Sequence, residues 1–286
     1  MAAWVACRPM TADRDLLQRI DRYLDAVPRT VTRTETIGPF TVFINEGRGW
    51  RYYARPSPGE TAFTVADAGQ VLARQRDLGQ PTEFEWVVAT APTLADTLRS
   101  AALEVTTMPL MHVTTDVFRR AAPPPDCVVR LARIDDDLAR WNAVAMIGFD
   151  AAGTATGPQG VADLDRMAAR ADPDAIGFAR DRLAEGFTVM AGAVVGGDPV
   201  TIGSHQPLEG VAEVTGVATL PAFRRRGFGA AVTSLLVRDA FDRGITTVFL
   251  SAGEDDVARM YASLGFREIG RVGQARVPAD AERPAT

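Results

Sequence analysis

Arg224-Arg225-Arg226-Gly227-Phe228-Gly229 sets guanidinium groups and glycines side by side, directly ahead of a helical pattern. A helix start presents unpaired backbone N–H groups and the positive end of its dipole, so cationic side chains clustered there stand against the local field. A bound anion resolves that conflict. Gly227 and Gly229 lack Cβ atoms, so the backbone can curl and approach a polyanion closely, as phosphate-binding loops do. The ligand class this chemistry points to carries phosphates. Taken alone, the same residues also describe an ordinary turn with a solvated arginine cluster. No Gly-Lys-Ser/Thr occurs, which disfavours a nucleotide-binding loop of the Walker type.

The elements that must position this loop are legible on both sides. Val214 to Leu220 is a β-branched and small-residue run that reads as a buried strand, ended by Pro221. Strand alternation sends Glu213, Thr215, Val217 and Thr219 to one face. After the loop, Phe228, Val232, Leu235, Leu236 and Phe241 recur at helical spacing, and Gly244 supplies a stop. Ile245 to Leu250 is a second buried strand. Val257, Met260, Tyr261 and Leu264 then mark one helix face, closed by Gly265 and Phe266.

Two of these patterns, Arg224 to Gly229 and Tyr261-Ala-Ser-Leu-Gly-Phe266, resemble the GNAT superfamily of acyl-CoA N-acyltransferases. That family carries Arg/Gln-x-x-Gly-x-Gly/Ala after its fourth strand and Tyr-x-x-Leu-Gly-Phe at a helix end. The resemblance spans about Val128 to Val277. It implies an α/β fold with a mixed sheet, acetyl-CoA as cosubstrate, no metal, and acetyl transfer to a primary amine of a small molecule or peptide by direct attack in a ternary complex. Such transfer needs a neutral amine, a stabilised oxyanion and a proton for the departing thiolate. By resemblance Glu213 is the general base and Tyr261 the general acid. The backbone of Val217, Ala218 and Thr219 binds the pantetheine arm, and Arg224, Arg225, Arg226, Gly227, Phe228, Gly229 and Ala230 hold the diphosphate. A solvated or paired glutamate and a core tyrosine are the competing readings of Glu213 and Tyr261. Many family members have asparagine early in the last helix, where this chain has Glu254 followed by Asp255 and Asp256. Acidic residues suit a helix start, but that pantetheine contact is not expected here. A non-catalytic CoA-sensing or protein-interaction module on the same fold is the alternative function.

At 286 residues the chain is long enough for two domains. A net charge of −5 argues against nucleic acid as a partner, and no apolar run is long enough for a membrane. All the basic charge comes from arginine; there is no lysine. The N-terminus lacks the pattern of a secretory signal, so a cytoplasmic location is expected. A homodimer is compatible with these features. Cys7 and Cys127 have no metal-ligand spacing and read as bystanders, and His112 and His205 read as structural.

Ala121-Ala-Pro-Pro-Pro-Asp126 reads as a stiff spacer. The expected domains are 1–120, a linker at 121–127, and a catalytic domain at 128–286. In the first, a helix at Asp13–Leu24 precedes a hairpin of Phe40–Ile44 with Trp50–Ala54. A helix, strand, helix and strand follow from Val65 to Val113. That order repeats the one from Phe228 to Val277, and Ser100-Ala-Ala-Leu-Glu-Val105 resembles Ser263-Leu-Gly-Phe-Arg-Glu268. A degenerate, GNAT-like first copy is therefore expected, one that holds no CoA because it lacks the arginine and glycine loop. In the second domain Gly196-Gly-Asp198 marks a hairpin between two strands, and the run from Gly148 to Pro158 is expected to shape acceptor choice.

Overall fold

The computed structural model describes residues 11–46, 49–151, 153–253 and 255–278. Cys7 and Glu254 lie outside them. The described residues form two compact units, one within 11–46, 50–110 and 268–278, the other within 111–267 together with Gly49.

The first unit opens with α1 (Thr11–Arg29), whose Leu17, Ile20, Tyr23, Leu24 and Val27 form a buried stripe at helical spacing. β1 (Arg33–Ile37) and β2 (Phe40–Ile44) pair antiparallel through a turn in which Gly38 has φ +54°. β2 pairs on its other side with the two-residue β3 (Arg55–Pro56). The second strand of the hairpin expected between 40–44 and 50–54 is therefore displaced to Arg55–Pro56. The alternating polar run Arg33-Thr-Glu-Thr-Ile37 takes the other side of β2, and Trp50 stays exposed. α2 (Val65–Asp77) starts with a capping box between Thr64 and Asp67. β4 (Glu83–Val87), α3 (Leu94–Ser100) and β5 (Glu104–Val113) complete the expected helix–strand–helix–strand order.

In the second unit β6 (Cys127–Leu131) is followed by α4 (Leu138–Asp150), the short α5 (Leu164–Ala168) and α6 (Pro173–Ala184). β7 (Val189–Val195) and β8 (Asp198–Leu208) form the expected hairpin, with Gly196 and Gly197 both at positive φ, as a two-residue turn matching strand twist requires. Glu209 and Gly210 turn the chain the same way into β9 (Val211–Thr219). A 3-10 turn at Pro221–Phe223 leads to α7 (Phe228–Asp242), then β10 (Thr247–Ser251) and α8 (Asp255–Ser263). The sheet order here is β5-β10-β9-β8-β7-β6, with β10 parallel to β9 and the β6–β9 pairs antiparallel. Phe228, Val232, Leu236, Val237 and Ala240 of α7 and Trp141, Val144 and Ile147 of α4 supply its core.

The last strand, β11 (Arg267–Arg276), pairs antiparallel with β4, Val272 opposite Val87. The proline run at 121–127 thus lies inside the second unit, where the sequence alone placed a boundary. The N–H of Ala121 donates to Ser234 Oγ of α7. The mixed α/β architecture with a large mixed sheet is that of the acyl-CoA N-acyltransferase fold expected from the sequence.

Candidate active site

β9 is the axis of the site. Its parallel pairing with β10 runs only from Thr247↔Val211 to Phe249↔Glu213. Beyond Glu213 that edge of β9 pairs with no strand among the described residues, and its backbone N–H and C=O groups face a cleft of about 840 Å³. Unpaired strand edges seek backbone partners, which makes this one a template for an extended ligand arm bearing amides.

Within β9 the pairing with β8 shifts by one residue between Ile202 and Ser204, and Gly216 there has φ +65°. Gly216 and Val217 together oppose Gly203, a β-bulge. The bulge resets the alternation. His205, Gly203 and Thr201 of β8 face α7: His205 bonds Asp239, and a Cβ on Gly203 would meet Leu236 and Val232. Their partners Val214, Val217 and Thr219 share that face, and Thr219 Oγ1 lies 3.0 Å from Thr201 Oγ1. Glu213, Thr215 and Ala218 pair with Gln206, Ser204 and Ile202 on the opposite face, where Ala218 packs on Gly148 of α4. The expectation that Glu213, Thr215, Val217 and Thr219 share one face is therefore corrected by the extra residue at the bulge.

At the end of β9 the arginine loop divides its work. Arg224 donates from Nε to Thr219 O (3.4 Å), from Nη1 to Ala155 O (3.0 Å), and from Nη2 to Gly148 O (2.6 Å) and Ala151 O (3.0 Å). Its guanidinium faces carbonyl oxygens instead of being left for an anion. Arg226 stacks its guanidinium on Phe223 and Phe228, 5.3 and 5.2 Å from the ring centroids, and does not line the cleft. Arg225, at φ +62°, lines it with a side chain 64% exposed and 3.5 Å from Asp256. Gly227 sits at φ +84° as the N-cap of α7 and offers no side-chain cap, so the first amides of the helix point onward without an internal acceptor. A Cβ on Gly229 would lie 3.9–4.0 Å from Val217, Thr219 and Met260, all cleft residues, so the glycine keeps that space open.

Tyr261 enters from the opposite wall. Its neighbourhood is a Schellman cap: Phe266 N–H donates to Tyr261 O, Gly265 N–H to Ala262 O, and Gly265 has φ +96°. The rings of Tyr261 and Phe266 lie 5.8 Å apart, supplying the hydrophobic contact that accompanies such a cap. A Cβ on Gly265 would strike Val117 O at 2.3 Å, so the position requires glycine twice over. Tyr261 is 5% exposed, and burial pushes its phenol above the ordinary range, so it holds its proton.

Glu213, Val217, Ala218, Thr219, Arg224, Arg225, Gly227, Phe228, Gly229, Ala230 and Tyr261 all line one cleft; Arg226 is the exception. Phe149 and Thr154, from the run expected to shape acceptor choice, line it too, as do Asp256, Arg259 and Met260, which the sequence did not single out as site residues. Met260 and Arg259 adjoin Tyr261 on α8 and were within reach of the same helical pattern. Phe149 and Thr154 meet β9 only through the tertiary fold. His205 is buried away from these residues. Its Nε2 lies 2.8 Å from Asp239 Oδ2, which also accepts from Arg243 Nε, and desolvation lowers the imidazole's pKa despite the carboxylate.

Residues 149–266 match the Acetyltransferase (GNAT) family model, a segment that includes nearly all of the cleft. No curated protein matches the chain. Among solved structures the chain is similar to a GCN5-related N-acetyltransferase from Kribbella flavida, with a TM-score of 0.68 and 20% identity over 91% of this chain and 94% of that one. It is also similar to a GCN5-related N-acetyltransferase from Sphaerobacter thermophilus (TM-score 0.56, 14% identity, 94% and 93% covered). A third is a tandem GNAT protein from the clavulanic acid biosynthesis pathway (TM-score 0.52, 14% identity, 97% and 98% covered). At these identities the likeness is one of fold.

Proposed function

We propose that the chain is an acyl-CoA-dependent N-acetyltransferase that moves an acetyl group from acetyl-CoA to a primary amine of a small molecule or peptide. The observation that carries this reading is the open edge of β9 leading straight into the uncapped, left-handed start of α7. A pantetheine arm fits the first and a diphosphate the second. The cradle has room for both: Gly229 keeps the space between α7 and β9 clear, and Arg225 supplies an exposed cation at its rim.

When bound, acetyl-CoA supplies the activated thioester. The chain's own residues do the rest. Backbone groups of Val217, Ala218 and Thr219 bond the arm along the strand edge, and amides from Gly227 to Ala230 face the diphosphate with Arg225 beside it. Arg226 contributes through its backbone and through the stacked packing that fixes the loop. Glu213, on the α4 face, takes the proton of the acceptor amine, directly or through water. Tyr261, protonated, gives a proton to the departing thiolate. Among the described residues no cysteine lines the cleft, which supports direct passage of the acetyl group from donor to acceptor. The first unit is proposed as a degenerate, GNAT-like copy.

A thiol-release assay with acetyl-CoA and a panel of aliphatic, aromatic and polyamine acceptors tests the reading. Amine-dependent release of CoA is expected. CoA binding without release for any amine would support a CoA-sensing module instead, and no binding would end both.

A further inference from the structure

Arg224 carries the inference. In a phosphate-binding loop its guanidinium belongs on the anion, yet four separate donations take it to Thr219 O, Ala155 O, Gly148 O and Ala151 O. Three of those carbonyls belong to α4's final turn, its C-cap and the segment just after it; the fourth is the last residue of β9. The last carbonyls of a helix lack internal partners and form the negative end of its dipole, so a cation there is stabilised where it sits. Arg224's own N–H bonds Pro221 O, which leaves neither its backbone amide nor most of its side-chain donors for a ligand.

We infer that Arg224 is a positioning residue that fixes the acceptor side of the cleft to the acetyl-CoA side, and is not a diphosphate ligand. The inference rests on the proposed function. Its mechanical content is specific. Gly148, Phe149, Ala151 and Thr154 line the wall facing Glu213's side of β9, and Arg224 ties that wall to the strand whose edge takes the thioester arm. Thr154 reaches further, to Asp256 Oδ2 at 3.5 Å, and Asp256 lies 3.5 Å from Arg225, so the same wall also meets the loop through α8. Moving the α4 end by an ångström would misplace an amine relative to the thioester while leaving the diphosphate cradle intact, and misplacements of that size can cost about 100-fold in rate.

The fork geometry of the guanidinium makes the test sharp, because a lysine ammonium keeps the charge but cannot reach carbonyls on several sides of a plane. Arg224→Met and Arg224→Lys are compared with the wild-type protein. CoA affinity is read by calorimetry, and the Michaelis constant for acetyl-CoA and kcat/KM for the best amine of the panel are read by thiol release. Both variants are expected to bind CoA within about threefold of wild type, which also shows that they fold, while kcat/KM for the amine falls about tenfold or more and the acetyl-CoA KM stays within about threefold. Loss of CoA affinity in Arg224→Met with recovery in Arg224→Lys overturns the inference, since charge alone would then be the requirement. Unchanged kcat/KM for the amine in both variants overturns it as well. Wild-type protein that binds no CoA removes the functional reading and the inference together, whereas the two preceding outcomes leave the function standing.

Discussion

In the proposed reaction Tyr261 serves packing and chemistry with one side chain. Its ring closes the Schellman cap against Phe266, and its phenol, kept protonated by burial, lines the cleft. Tyr261→Phe keeps the ring and removes the proton. In steady-state assays kcat is expected to fall about 10²-fold or more with CoA affinity nearly unchanged. Equal losses in kcat and affinity would make the residue a packing element. His205 gives a second prediction. Its folded pKa lies below the ordinary 6.5, so in the window below that value the unfolded chain binds the proton first. Stability from the neutral, buried imidazole is fully present above pH ~6.5 and lost as pH falls toward the depressed folded value. Urea midpoints measured from pH 7.5 down to 5 should decline, and His205→Asn should flatten the decline; an unchanged slope would show that other groups govern it. The sequence made the loop glycines and Tyr261 legible because their motifs are local. It could not separate the three arginines. Arg224 and Arg226 are claimed by α4 carbonyls and by two phenyl rings, and only the folded chain brings those groups to them.

Among the elements, the caps were the readable part and the bulge was not. A glycine inside a strand run signals either close packing or a bulge, and nothing local tells which. Gly216 is the bulge, and it sends Glu213 to the α4 face while Val217 and Thr219 face α7. The likeness of Ser100–Val105 to Ser263–Glu268 has a geometric counterpart. At the end of α3 Leu103 N–H donates to Leu98 O and Ala102 N–H to Arg99 O, the same cap as at Gly265, with Ala102 at φ +62°. An alanine held there is strained, so Ala102→Gly is expected to stabilise the protein by about 0.5–1 kcal/mol. Chemical denaturation checks this, and a destabilised variant would show that the left-handed cap is not kept in solution. The expected hairpin at 40–54 forms with its second strand displaced to Arg55–Pro56. Glycine-rich links advertise turns, but the polar run at 33–37 gave little hydrophobic signal for the strand that pairs with β2.

At the scale of the molecule, composition and motif order pointed to the fold class, while the domain boundary was hidden in long-range pairing. Prolines at 123–125 mark extended chain, which an edge segment inside a unit accommodates as well as a linker does. The strand at 267–276 follows the arginine–glycine and tyrosine motifs in sequence yet pairs with β4. A fragment of residues 128–286 therefore carries β11 without β4 and lacks Met111–Val113 of the second unit. Its thermal unfolding, followed by circular dichroism, is expected to lose the cooperative transition of the full chain. A cooperative, CoA-binding fragment would support the proposed boundary at 121–127. The most direct measurement of all is a calorimetric titration of CoA into the wild-type protein and into Gly227→Glu, which sets a carboxylate and a strained left-handed residue at the start of α7. Saturable one-site binding by wild type and affinity weakened by about 100-fold or more in a folded variant are predicted. Equal affinity in the two proteins would contradict the claim that the start of α7 holds the diphosphate.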